Sequence, residues 1–261
     1  VGHLRSTVIG DALVRLLEFV GHTVIRENHI GDWGTPFGML IEHLVDLGED
    51  EAADHLSLGD LDGFYKQARV KFDADDSFKE RSRARVVALQ GGDRETRRLW
   101  ALLVQLSTRY FNLVYSLLGV LLTDDDLMGG SAYNDRLPDV LTRLGKSGLL
   151  QESDGAEVVF PPGYTNREGE PLPLIVQKGQ GGFNYATSDL ACVIDRVERL
   201  RADLVLYVVG APQAQHLSMV FDVARIAGWL VPPADAVHVA FGSVLGEDRK
   251  ILKSRSGRSE E

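Results

Sequence analysis

The sequence predicts an α/β chain, an open parallel sheet interrupted by a largely helical insertion. Strand-like apolar runs alternate with helical periods near both ends, while a long middle stretch shows helical periods alone. One run, Leu204-Val205-Leu206-Tyr207-Val208-Val209, is continuously apolar, as expected of a strand covered on both faces. At 261 residues, 44% hydrophobic and 25% charged, the chain is long enough for a sizeable core and too apolar to be disordered.

Taken in order, Val8, Ile9, Ala12, Leu13, Leu16, Leu17 and Val20 recur at helical spacing and stop at Gly21, a residue suited to a helix C-terminus. His22-Thr23-Val24-Ile25-Arg26 is the expected next strand. These two elements make half of a mononucleotide-binding unit whose first strand is expected before Val1; the chain opens without methionine, so its native start is expected upstream. Residues 40–125 read as helical. Within them Leu102, Leu103, Leu106, Tyr110, Leu113, Val114 and Leu117 line one side of a helix from about Leu99 to Leu118. The acidic stretches Glu49–Asp54 and Asp73–Asp76 read as solvated surface. Leu149–Phe160 reads as a hairpin around Asp154-Gly155, a good turn pair. After the 204–209 strand come a helix from Gln215 to Ala227 and a last strand with Val237, Val239 and Phe241 in alternation.

Charge and cysteine content narrow the classes. The net charge is -10, from 28 Lys+Arg against 38 Asp+Glu, which argues against bulk electrostatic binding of nucleic acid while leaving room for a local basic track. The one cysteine, Cys192, excludes a disulfide framework and a Cys-rich zinc site and fits a reducing compartment. The apolar runs are too short for a transmembrane helix and no signal peptide is visible, so no membrane partner is expected.

Three constellations carry chemistry. Gly2-His3-Leu4-Arg5-Ser6-Thr7 opens a helix, where glycine admits a phosphate to the backbone, and free N–H groups and the dipole attract it. His3 there either donates to a phosphoryl group or merely caps a turn. Near the other end, Phe241-Gly242-Ser243-Val244-Leu245-Gly246-Glu247-Asp248 and Lys253-Ser254-Arg255-Ser256-Gly257 form a Gly-flanked loop able to close over a polyphosphate. The third is Gly181-Gly182-Phe183-Asn184-Tyr185-Ala186-Thr187-Ser188-Asp189-Leu190, followed by Gln213 and His216. With a helix starting at Thr187 or Ser188, Asp189 falls in its first turn. It then either stabilises the helix end or, with Tyr185, lines a pocket for a cation. Gln213 sits just past a strand's C-terminal end, where open α/β sheets place ligands.

The segments Gly2–Thr7, Asn28-His29-Ile30-Gly31-Asp32-Trp33-Gly34-Thr35, Tyr185–Ala191 and Lys253–Gly257, with Gln177-Lys178 and Gly246-Glu247-Asp248, run in order along the chain and together resemble the arginyl-tRNA synthetase family. The resemblance implies a Rossmann-like class I catalytic domain. It implies activation of L-arginine by ATP, with Mg2+, as an arginyl-adenylate, and transfer to the 3′ end of an arginine tRNA. It places Gly2 and His3 on the end of the family's His-x-Gly-His motif and Lys253 to Ser256 on its Lys-Met-Ser-Lys-type loop. His3 and Lys253 are then the expected catalytic residues, and Gly2, His3, Gly242, Lys253 and Ser256 the expected ATP contacts. Tyr185, Asp189 and Gln213 fall on the arginine pocket.

The expected organisation is a first part of the nucleotide-binding domain at 1–39, a helical insertion at 40–125 and a second part at 126–261. The first histidine of the motif is expected just before Val1, and an anticodon-binding domain is expected in the parent but is absent from these residues, which alone are expected to be inactive. A cytoplasmic monomer is expected of the parent. Gly130 stands where the family usually has a glutamate that helps hold the guanidinium, Pro36 where glutamine is frequent, and Arg255 within a Lys-x-Arg-Ser-Gly variant common among arginyl enzymes. A degenerate paralogue that binds ATP or tRNA without charging is the alternative. A dinucleotide oxidoreductase is disfavoured, because no Gly-x-Gly-x-x-Gly follows a strand.

Overall fold

The computed structural model describes residues 2–49, 61–179, 181–243 and 245. The readings on Lys253–Gly257, on Gly246-Glu247-Asp248 and on most of Glu49–Asp54 lie outside these. The chain divides into two compact units, one of residues 7–131 and one of residues 2–6 with 132–243.

Helix α1 (Gly2–Phe19) has its first residues, 2–6, in the second unit and the rest in the first, where it ends as expected at Gly21. Its φ of 95° lets Gly21 and His22 return their N–H groups to Glu18 and Leu17 carbonyls at 3.0 Å each. Helix α2 (Thr35–Leu47) starts after Gly34, whose φ of 84° favours glycine, and tolerates Pro36 because first-turn N–H groups lack helical acceptors. Helices α3 (Leu61–Ala74), α4 (Asp76–Gln90) and α5 (Arg94–Leu118) follow. Asp75 caps α4 by accepting from Ser77 N at 2.8 Å, and Asp93 caps α5 by accepting from Thr96 N at 2.8 Å. The Asp73–Asp76 run is therefore surface, with Asp75 also a cap. Phe37, Ile41, Leu44, Phe64, Phe78, Leu89, Leu99 and Leu103 are among the buried side chains of one core. Glu42 is buried with them and accepts from Arg81 at 3.2 Å and Arg85 at 2.7 Å.

Two expectations are corrected here. His22–Arg26 is not a strand; just beyond it a single parallel bridge joins Asn28 to Leu127, with Asn28 N on Asp126 O at 2.7 Å and Met128 N on Asn28 O at 3.0 Å. A strand needs a ladder, and β-favouring Thr23, Val24 and Ile25 have no ladder partner among the described residues. The apolar stripe of α5 is buried at Leu99 and Leu103, but Leu113 and Leu117 are exposed, the latter at 79%. The helical period finds the stripe, whereas burial depends on what packs against it.

In the second unit, helix α6 (Leu137–Lys146) precedes a hairpin of β1 (Gln151–Ser153) and β2 (Ala156–Val159), turning through Asp154 and Gly155 at φ 50° and 72°. Strand β3 (Leu174–Gln177), unread in the sequence, extends this into a three-stranded antiparallel sheet. Helix α7 (Tyr185–Ile194) runs into a single π-helical segment, Asp195–Arg199. Strand β4 (Leu204–Gly210) pairs in parallel with β5 (Asp235–Phe241), in register from Leu204↔Asp235 to Gly210↔Phe241, with α8 (Ala214–Ile226) as the crossover. Both α8 and β5 match expectation. β4 departs from it: the strand is half-buried along its length and exposed at Leu204, because among the described residues its ladder partner is β5 alone.

Candidate active site

The first turn of α1 is held beside the C-terminal ends of the parallel pair. Ser6 Oγ donates to the Val208 carbonyl, and the Arg5 guanidinium carbon lies 5.1 Å from the centre of the Phe241 ring. Val208 is near the end of β4 and Phe241 is the last residue of β5. The first residues of α1 thus sit where open parallel sheets bind ligands. Gly2 and His3 belong to that turn. Gly242 follows β5 directly and is open, with nothing within 4 Å of where a Cβ would stand. Lys253 and Ser256 lie outside the described residues.

A second group lies on α7 and the start of α8. Helix α7 starts at Tyr185, earlier than expected, because Asn184 takes the cap position and accepts from Tyr185 N at 3.0 Å. Thr187 is buried inside the helix and donates its hydroxyl to the Val176 carbonyl of β3. Asp189 is therefore past the first turn, contrary to expectation, and does not serve as a helix-end acid. Tyr185 and Asp189, four apart, share one face of α7; Gln213 and His216, three apart, share one face where α8 begins. The two pairs meet through His216 Nε2 and Asp189 Oδ2, 2.5 Å apart. Tyr185 is 73% exposed and Gln213 is exposed, while the Asp189 and His216 side chains are 24% and 30% exposed. A partly sheltered carboxylate of this kind can pair with a cation.

The far end of α7 is fixed by charge. Asp195, fully buried in its side chain, accepts from Arg136 and from Arg199, the latter at 2.7 and 2.6 Å. Burial opposes the charged carboxyl, but the Arg199 and Arg136 bonds outweigh it and hold Asp195 below the usual carboxylate range. The Arg196 guanidinium carbon stands 4.8 Å from the Tyr207 ring centre, and burial pushes the Tyr207 phenol up despite that cation.

The Asn28–Thr35 segment builds a different feature, within the first unit. Asp32 is 4% exposed and accepts from Ser131 N at 2.9 Å and Ser131 Oγ at 2.5 Å, while its carbonyl accepts from Trp100 Nε1 at 2.7 Å. Trp33 meets Trp100 edge-on at 5.9 Å. Gly129 packs against the carboxylate so closely that a Cβ would stand 2.6 Å or less from both oxygens. At Gly130 a Cβ would make only ordinary contacts, 3.7 Å from Asp32 Oδ1 and 3.8 Å from Trp33 Cβ. Sequence reading missed the Asp32–Ser131 pairing, and it named His216 without a partner. The only sequence signal for the latter was the spacing of three from Gln213.

Residues 1–260 match a family model described as tRNA synthetases class I (R), catalytic domain. The chain is 58% identical over 257 residues to an arginine–tRNA ligase of Thermobifida fusca and 52% identical over 261 residues to one of Thermosynechococcus vestitus. These alignments cover 98% and 99% of this chain but 44% of each relative, so the chain spans less than half the length of the relatives it matches. Among solved structures, arginyl-tRNA synthetase from Plasmodium falciparum superposes with a TM-score of 0.76 at 31% identity, covering 94% of this chain and 40% of that one. The Thermus thermophilus arginyl-tRNA synthetase, at 20% identity, has a TM-score of 0.65 over 98% of this chain and 48% of its own, a likeness of fold.

Proposed function

Because the chain belongs to the class I tRNA synthetase family for arginine, catalytic domain, we propose that it is the catalytic core of an enzyme of its relatives' length that ligates L-arginine to arginine tRNA. ATP, as its magnesium complex, is the other substrate. The arginine carboxylate attacks the α-phosphorus and releases pyrophosphate; the tRNA 3′ end then takes the arginyl group and releases AMP. Residues 1–39 and 126–261 form a Rossmann-like nucleotide-binding domain, residues 40–125 a helical insertion, and a separate domain of the full-length enzyme binds the anticodon. The enzyme works as a cytoplasmic monomer. No helix among the described residues is long and apolar enough to cross a membrane, and the lone cysteine fits a reducing compartment.

The observation that carries this reading is the half-buried Asp189, one helical turn after exposed Tyr185 and joined through His216 to the helix that follows exposed Gln213, which lies three residues beyond the C-terminal end of β4. Arginine is permanently charged and planar, so choosing it requires a carboxylate placed for forked hydrogen bonds. Tyr185 stacks on the guanidinium, Asp189 pairs with it, and Gln213 orients the amino acid. The start of α1 supports the ATP half: Gly2 and Gly242 admit the phosphates to backbone, and His3, Lys253 and Ser256 donate to the charge that grows at the α-phosphorus. Glycine at position 130 favours the second reading, a paralogue that binds ATP or tRNA without charging; arginylation by the full-length enzyme separates the two.

His3→Ala and Lys253→Ala in the full-length enzyme should each lower turnover in arginine-dependent pyrophosphate exchange by roughly a hundredfold or more. The double variant should fall short of the product, since both donors act on one transition state. A rise in KM for ATP with turnover intact would show ground-state binding only and remove their catalytic roles.

A further inference from the structure

We propose that His216 is a positioning residue of the arginine pocket, one that fixes the Asp189 carboxylate while leaving its charge for the ligand. The inference rests on the reading of Asp189 given above and concerns a side chain to which that reading gives no task. A carboxylate has two oxygens and about four lone-pair directions. His216 Nε2, 2.5 Å from Oδ2, occupies one of them. An aspartate otherwise turns freely about its broad last torsion, and a guanidinium fork is satisfied only when the carboxylate plane is set.

The chemistry of the partner matters as much as its reach. In the tautomer with the proton on Nε2, imidazole donates without bringing a charge, so the pair keeps the net negative charge that draws a cation. Asp195, on the same stretch of chain, shows the contrary design: Arg136 and Arg199 clasp it, and its charge is used up inside the protein. His216 is also well braced. It is the third residue of α8, and Leu217, Met219 and Val220 behind it are buried. The face that carries His216 carries Gln213, so one rigid helix start orients both the pocket's carboxylate and its amide.

The test uses the full-length enzyme with His216→Phe, which keeps a ring and loses the donor, and His216→Gln, whose terminal amide reaches about as far as Nε2. His216→Phe should raise KM for arginine roughly ten- to hundredfold, as expected for a lost bond to a charged group, with KM for ATP unchanged and kcat changed less. His216→Gln should stay within about threefold of the parent. Adding His216→Phe to Asp189→Asn should cost little more than Asp189→Asn alone, because one partner has already gone. If the Phe variant does not fold, His216→Asn, too short to reach Oδ2, takes its place with the same expected values. Unchanged arginine KM in the His216 variants beside an impaired Asp189→Asn overturns the inference and spares the pocket. Unchanged KM in both sets removes the pocket as well. Equal rises in KM for ATP and arginine, unrelieved by glutamine, assign His216 to structure alone and also overturn it.

Discussion

Asp32 is bonded to Ser131 and Asp189 to His216, and their surroundings fit the two carboxylates for opposite work. Asp32, in the unit of residues 7–131, is 4% exposed; both carboxylate oxygens accept from Ser131, and Gly129 closes the remaining space. Asp189, in the unit built on β4 and β5, is 24% exposed in its side chain, and His216 meets its Oδ2. Sequence motifs mark both segments equally. What separates a structural carboxylate from a ligand-binding one here is access, because burying a satisfied acid braces a loop while an accessible one can still meet a ligand.

That contrast can be broken from either side. The largest effect is expected at Asp189: Asp189→Asn in the full-length enzyme should weaken arginine use by about 2–4 kcal/mol, or about thirty- to a thousandfold, on the scale of an unpaired buried charge. It should leave the urea midpoint nearly unchanged. Arginine KM and turnover equal to those of the parent would remove Asp189 from the pocket.

Next in size, Gly129→Ala should do the reverse. Its methyl cannot coexist with the Asp32 carboxylate as placed, so Ser131 loses its acceptor, and the cost should be about 1–3 kcal/mol of stability. Urea unfolding would record this as a lower midpoint with the same slope. An unchanged midpoint would mean that Asp32 is not a brace at all.

Asp195 sharpens the comparison through pH. Its folded pKa lies below its ordinary value, so its contribution is whole above the unfolded value, about 3.9, and is lost as pH falls through the folded one. Thermal unfolding midpoints should therefore hold between roughly pH 6 and 8 and drop below about pH 4. Asp195→Asn should be less stable at neutral pH and show a shallower acid drop. An unaltered drop would assign acid sensitivity to other carboxylates.

The smallest effect is expected at Arg98, which bridges Glu49 and Glu95 at the surface of the helical unit. Exposed pairs contribute little in water and are screened by salt. Arg98→Ala should leave the unfolding midpoint unresolved from the parent at physiological salt; a clear loss would show that this network holds more than a surface.

The sequence by itself determined what short range controls. Gly21 ended α1, Asp154-Gly155 turned the hairpin, and the helical period of residues 99–118 and 215–227 placed α5 and α8, because capping, left-handed φ and periodicity are settled among residues a few positions apart. The motifs likewise named Tyr185, Asp189 and Gln213. Only the tertiary structure decided whether Thr23-Val24-Ile25 would be a strand, how deeply β4 would lie, and whether Leu117 would be covered. It alone brought His216 to Asp189 across 27 positions and Ser131 to Asp32 across 99. Those outcomes depend on partners supplied by distant chain, and a residue's own neighbourhood in the sequence holds no information on which lone pair a distant donor will reach.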